Sequence, residues 1–303
     1  KGGHSSDTDA SSDVLYQPHR EAQSSRVPRT PYDKHGTGCA LSAAIATALA
    51  QGETLSEACR KGQWYVDALR RSGKTRLASL PLSGGRLKAE KLRRGKLQFI
   101  TDSPDLEEVL AQCRAALQGG VRWIQLRMKA ASTEERVVAA RAISQEMQPY
   151  PSAILIIDDD VEAALRSDAD GVHVGLDDLP PADVRRILGT DKIVGATCNR
   201  LEDLALRSLQ GVDYVGIGPF RTTQTKKLLS PLLGEEGMAA LVRFNHTLPQ
   251  PIPLIAIGGI TAGDFSTLAG VGVQGIALSG IINHATDPQA ESSRLVQLSD
   301  QYF

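Results

Sequence analysis

Residues 153–180 read AILIIDDDVEAALRSDADGVHVGLDDLP, and this stretch decides the fold class. An apolar, β-branched run (153–158) meets three aspartates, then a short helical segment (161–166), then a second β-branched run (171–175). Near-continuous apolar runs separated by a helix mark parallel strands buried on both faces, because the crossover helix covers the sheet. The unit recurs outward in both directions. Strand-like runs at 97–101, 122–127, 192–197, 213–218, 253–258 and 275–279 bring the set to eight, with helix-like stretches at 105–118, 133–147, 182–188 and 201–209. Eight units in about 200 residues predict an α/β fold, a (β/α)8 TIM barrel at the small end of its range. A doubly wound open sheet is the alternative. Even spacing, and the lack of a GxGxxG turn after the first strand, favour the barrel.

In such a barrel the site forms where the strands end. The second strand closes with Gln125-Leu126-Arg127-Met128-Lys129, and alternation sets Gln125, Arg127 and Lys129 on one side. That aims an amide and two cations together, unless the cations are merely solvated. The third closes with Asp158-Asp159-Asp160. Adjacent carboxylates repel unless a cation sits among them, which points to Mg2+. A helix N-terminus, which also favours acids, is the competing account. Asp177-Asp178 after the fourth strand shifts the reading toward a shared metal.

Residues 218–226, GPFRTTQTK, follow the sixth strand. Thr223, Thr225 and Lys226 there offer two hydroxyls, exposed amides and an ammonium, a set able to hold a cluster of anionic oxygens. The seventh strand ends Ile257-Gly258-Gly259-Ile260 and the eighth Leu278-Ser279-Gly280. Glycines let backbone N–H groups approach a phosphate, and these two strands are where many barrels hold one. Turn geometry alone is the plainer account of them. Together the parts call for two anionic groups, one phosphate and one metal-requiring pyrophosphate. Isolated His173 and Cys198 read as core residues rather than catalysts, and no Ser-His-Asp or Cys-His arrangement is evident.

The first 72 residues differ. A Ser-rich opening leads through Pro28 and Pro31 to Asp33-Lys34-His35-Gly36-Thr37-Gly38-Cys39, then to helices over 40–50 and 55–71. Two helices and a stub of extended chain cannot enclose a sizeable core alone. With Lys-Gly-Gly-His at the start and no initiator Met, the expectation is the tail of a larger domain. Residues 73–96 are strongly basic: Lys74, Arg76, Arg86, Lys88, Lys91, Arg93, Arg94 and Lys96 face only Glu90. No aromatic residue interleaves this run and Ser83-Gly84-Gly85 interrupts it, so it reads as a solvated linker and not as a nucleic-acid or membrane contact.

Composition is that of a globular protein, with 41% hydrophobic and 23% charged residues among 303. No apolar run approaches the roughly 20 residues a membrane helix needs. The four scattered cysteines form no CxxC pair, which argues against structural zinc or a disulfide framework and fits a cytoplasmic protein. The sequence leaves homo-oligomerisation open.

Residues 97–303 resemble thiamine-phosphate synthases along the whole domain. The resemblance rests on QLRMK (125–129), LIIDDDVEAAL (155–165), ADGVHVGLDDLP (169–180), YVGIGPFRTTQTK (214–226) and IAIGGI (255–260). It implies a transferase of thiamine biosynthesis that joins hydroxymethylpyrimidine diphosphate to thiazole phosphate, releasing pyrophosphate. By resemblance, Gln125, Arg127 and Lys129 bind the diphosphate, and Asp159 and Asp178 ligate Mg2+. Thr197, where the family often has serine, faces the reacting groups. Thr223 and Thr225 contact the thiazole phosphate and Lys226 the diphosphate, while Gly259, Leu278 and Ser279 complete the phosphate cradle. Three positions depart from the family. Asp158 replaces a usual Asn and is expected to accept from the pyrimidine amino group; Leu176 replaces Gln, and Thr222 replaces Pro.

Residues 1–72 resemble the C-terminal end of a ribokinase-type hydroxymethylpyrimidine (phosphate) kinase, through Lys1-Gly2-Gly3-His4 and His35-Gly36-Thr37-Gly38-Cys39. The resemblance implies that Lys1 and Cys39 act on a transferred phosphoryl group, with the Gly36, Gly38 and Cys39 amides stabilising its charge. A bifunctional kinase–synthase fusion is the expectation. Two other readings of the barrel stay open: a thiazole tautomerase, which needs a proton-transferring residue that Thr197, Cys198 and Asn199 do not obviously supply, and a barrel that binds thiamine precursors without catalysis. Lys129 and Lys226 together argue against the last, since a mere phosphate binder needs no diphosphate clamp.

Overall fold

The computed structural model describes residues 10–18, 21–28, 37–50, 52–71, 92, 95–222 and 232–303. The chain divides into two compact units, Lys1–Leu82 and Ser83–Phe303. In the first, β1 (Ala10–Leu15) pairs antiparallel with β2 (Gln23–Pro28), Ala10 opposite Pro28. The helices α1 (Thr37–Ala50) and α2 (Leu55–Arg71) pack so closely that a Cβ on Gly62 would come within 2.7 Å of Ile45. The hairpin is more than the stub of extended chain expected. Its serine-rich strands lack the apolar alternation that announces a strand.

The second unit is a closed barrel of eight parallel strands, so the open-sheet alternative falls. The strands are β3 (Leu97–Ile100), β4 (Trp123–Leu126), β5 (Ile154–Asp158), β6 (Gly171–Val174), β7 (Ile193–Cys198), β8 (Tyr214–Ile217), β9 (Leu254–Ile257) and β10 (Gly275–Leu278). Closure is made by β10 on β3, with Ile276 opposite Leu97. Helices α3 (Leu106–Gln118), α4 (Thr133–Glu146), α5 (Val161–Ser167), α6 (Pro181–Leu188), α7 (Leu201–Ser208), α8 (Gly234–Asn245), α9 (Phe265–Val271) and α10 (Gly280–Asn283) follow the strands in turn, and α11 (Pro288–Tyr302) ends the chain. Local signals start several of them. Ser132 and Glu135 form a reciprocal capping box on α4, and Asp105, Asp160 and Asp287 cap α3, α5 and α11.

Alternation along each strand separates two cores. Outward residues such as Phe99, Ile124, Leu155, Ile157, Val172, Val194 and Val215 pack beneath the helices. Inward ones, including Trp123, Ile154, Ile156, Ile193, Tyr214 and Ile255, plug the barrel. Trp123 and Tyr214 meet edge to face at 4.8 Å. A Cβ on Gly195 would lie 2.2 Å from the Tyr214 ring, so glycine at that position lets the tyrosine cross the interior. Above this plug the inward residues turn polar, and the site begins.

Candidate active site

A cavity of about 660 Å3 opens at the C-terminal ends of the strands. It is lined by Gln125, Arg127, Lys129, Asp158, Asp159, Leu176, Asp178, Thr197, Gly259, Leu278 and Ser279, so every candidate barrel residue within the described chain meets there. Thr223, Thr225 and Lys226 lie outside the described residues, as do Lys1, Gly36 and nearly all of the linker. Gly38 and Cys39 fall at the start of α1, Cys39 exposed.

The three consecutive aspartates have three fates. Asp158 ends β5 pointing inward, where its Oδ1 accepts from Gln125 Nε2 at 2.5 Å and its Oδ2 lies 3.5 Å from Arg127 Nε. Burial pushes its carboxyl up, against the pull of Arg127 and Lys129. Asp159 adopts a left-handed backbone, φ 63°, which turns its carboxylate to within 3.6 Å of Lys129 Nζ. Burial first, then the Asp158 carboxylate and a hydrogen bond with Asp178, push Asp159 up to about 7. Two carboxylates this close need a proton or a cation between them. Asp160 is the helix-cap account made real: it accepts from Ala163 N at 2.8 Å and pairs with Arg136 at 3.0 Å.

Opposite lies the glycine turn. Gly258 and Gly259 both have positive φ, 99° and 64°, and a Cβ on Gly259 would sit 2.8 Å from the Thr222 carbonyl. A side chain there would force the two loops apart, so the turn needs glycine beyond any role with a ligand. The end of β8 is laced to this turn: Phe220 N donates to Ile257 O and Arg221 N to Gly258 O, each at 2.9 Å. Arg221 grips Asp264 with both terminal nitrogens, the Nη2–Oδ1 contact measuring 2.6 Å. The hydrogen bond from Arg221 is the main reason Asp264 is held down to about 2. A depressed carboxyl contributes stability above its unfolded pKa that is lost as pH falls through the folded one. Asp264→Asn is therefore expected to lose about 1–2 kcal/mol at pH 7, after allowance for the half-exposed arginine. In denaturant titrations the gap to wild type should close between pH about 4 and about 2; a gap that stays constant over that range would mean the pair contributes nothing.

Sequence reasoning missed His173, Gln98 and Tyr214. His173 is no plain core residue: it lines the cavity, with Nδ1 3.0 Å from Tyr214 Oη and Nε2 3.1 Å from Thr197 Oγ1. Alternation along 171–174 already placed it on the inward face, beside Asp158 of β5, and that was the available signal. Cys198 is a core residue as expected, its thiol pushed up to about 12 by burial. His284 also lines the cavity, 3.3 Å from Asp102.

The profile of the thiamine monophosphate synthase family matches residues 97–282. The chain belongs to the thiamine-phosphate synthase family. A thiamine-phosphate synthase of Bacteroides fragilis is 45% identical over 205 residues, covering 67% of this chain and 98% of that one. The one from Phocaeicola vulgatus is 43% identical over 203 residues, covering 67% and 97%. A solved thiamine phosphate pyrophosphorylase from Pyrococcus furiosus superposes with a TM-score of 0.60 at 31% identity, over 70% of this chain and 99% of that one. Membership in this synthase family makes the barrel a transferase. The profile of phosphomethylpyrimidine kinase matches residues 1–79.

Proposed function

We propose that the barrel joins hydroxymethylpyrimidine diphosphate to thiazole phosphate, giving thiamine phosphate and pyrophosphate. The observation that carries this reading is the convergence of Gln125, Arg127 and Lys129 with Asp158, Asp159 and Asp178 on one wall of a cavity whose other wall holds the Gly258–Gly259 turn and Ser279. One wall suits a diphosphate with its cation, the other a single phosphate. Arg127 and Lys129, joined by Lys226, hold the diphosphate and favour its departure as charge builds on it. Asp158, which accepts from Gln125, faces the pyrimidine, whose electron-rich ring delocalises the positive charge left behind. The thiazole nitrogen, held through its phosphate by the amides around Gly259 and Ser279, is positioned to attack that carbon. No general base is required. That fits His173, whose two nitrogens are taken up by Tyr214 and Thr197, and it weighs against a tautomerase.

Mg2+ fits the Asp159–Asp178 pair: two hard oxygen donors in hydrogen-bond contact, the Asp159 carboxyl pushed up to about 7 chiefly by burial, with room for phosphate oxygens to complete the shell. Bound there it would add positive charge beside the leaving diphosphate. The test is formation of thiamine phosphate by the purified chain. Product should require both precursors and Mg2+, Asp159→Ala should raise the Mg2+ needed, and Ser279→Ala should mainly raise KM for thiazole phosphate. A folded protein that binds both precursors and makes no product would establish the non-catalytic reading instead.

On the same basis residues 1–72 are the end of a pyrimidine kinase domain, 73–96 a linker and 97–303 the synthase, within a bifunctional parent protein acting on small molecules. No helix among the described residues is long and apolar enough to cross a membrane. The four free cysteines support a reducing compartment such as the cytoplasm. Limited trypsin digestion is expected to cut first among Lys88, Lys91, Arg93 and Arg94, leaving a stable fragment from about residue 97. A 73–96 segment as resistant as the barrel would show that it is not a linker.

A further inference from the structure

A run of hydrogen bonds crosses the barrel from Asp158 on β5 to Thr197 on β7, and its polarity can be worked out from one end to the other. Gln125 Nε2 lies 2.5 Å from Asp158 Oδ1. Asp158 Oδ2 faces the Arg127 guanidinium at 3.5 Å, which suits a carboxylate whose Oδ1 accepts, so the NH2 group of Gln125 faces Asp158. Gln125 Oε1 is left to accept, and it does so from Gln98 Nε2 at 2.8 Å. With its second hydrogen the same Gln98 nitrogen donates to Tyr214 Oη at 3.3 Å. Tyr214 is fully buried and has one hydroxyl proton to place. Having accepted from Gln98, it donates to His173 Nδ1 at 3.0 Å. The neutral ring then carries its hydrogen on Nε2, which donates to Thr197 Oγ1 at 3.1 Å. Thr197 lines the cavity, and accepting from the ring leaves its own hydroxyl proton to donate.

We propose that Gln98, Tyr214 and His173 are positioning residues which, anchored at Asp158, hold Thr197 as a hydrogen-bond donor toward the reacting groups. The barrel makes room for them. A Cβ on Gly195 would collide with the Tyr214 ring, and one on Gly216 would come within 3.3 Å of His173. Gln98 and Gln125 are 3% and 4% exposed, so water does not compete for their amides. The aspartate at 158 matters for polarity: a carboxylate oxygen accepts, whereas an asparagine could turn either its oxygen or its nitrogen to Gln125 and allow the chain to run both ways. A donor fixed in advance on departing diphosphate needs no reorganisation as charge develops. That consequence rests on the synthase reading; the geometry does not.

The test has two arms on the full chain. In long-range 1H–15N spectra of uniformly 15N-labelled protein at neutral pH, the ring assigned by its loss in His173→Gln should show the Nε2–H tautomer. Kinetically, Tyr214→Phe and Thr197→Val should each lower kcat about tenfold with little change in either KM, and the double variant should fall no further than the single ones. A His173 ring with hydrogen on Nδ1, or on both nitrogens, would overturn the proposal. So would Tyr214→Phe and Thr197→Val effects that multiply. Wild-type protein making no thiamine phosphate would defeat the synthase reading while the tautomer still decides the polarity of the chain.

Discussion

Lys129→Ala should lower kcat by about 10²-fold or more while the protein stays folded, the scale seen when one electrostatic stabiliser of a transition state is removed. The side chain stands at the cavity rim, 55% exposed, with Asp159 its nearest carboxylate at 3.6 Å. Its exposure means that folding asks little of it, so stability should change by less than about 0.5 kcal/mol. On the proposed reading its value lies with the departing diphosphate, where the ammonium acts more strongly as charge gathers than in the ground state, and that is the condition for raising kcat and not merely lowering KM. Steady-state kinetics with circular dichroism on the same sample separates the cases. Turnover at the wild-type rate would mean that the chemistry happens elsewhere.

The second large effect concerns folding. Gly171 opens β6, opposite Ile156 of β5 and Ile193 of β7. An added Cβ would lie 2.0 Å from the Ile193 carbonyl oxygen, a backbone atom that cannot swing aside. Gly171→Ala must part β6 from β7, and a closed barrel has no free edge at which to absorb the shift. A loss of roughly 3 kcal/mol or more is expected, in the range reserved for overpacking of a core. Gly270→Ala is the control: it sits within α9 with nothing within 4 Å of the added carbon, and should be neutral or gain up to about 1 kcal/mol from helix propensity. Urea midpoints measure both, and equal stability of the two variants would show that β6 is not constrained as described.

All eight strands were legible to within a residue at each end, because parallel strands buried on both faces leave unbroken apolar runs that glycine and aspartate punctuate. The hairpin of β1 and β2 was not, since its pairing is polar. The acidic run at 158–160 shows the limit more sharply. Sequence offered a metal site or a helix cap as rivals; Asp160 takes the cap on α5, while Asp159 stands beside Asp178, where we propose the metal. Adjacent residues diverge here because the strand ends between them and the backbone turns. The Gln98–Tyr214–His173 contacts join strands far apart in sequence. Only the register across β3, β6, β7 and β8 brings them together, and no local pattern encodes that.

With the metal role proposed for Asp159, its left-handed backbone sets thermostability against activity. A residue with a side chain at φ 63° carries a conformational cost of about 1 kcal/mol that glycine would not, so a screen for heat resistance alone would favour glycine there. The variant it selected would have lost the carboxylate nearest Lys129 and Asp178. On the proposed role, selection applied to the enzyme runs the other way, and position 159 is where an engineer raising the melting temperature of this barrel would trade away its chemistry.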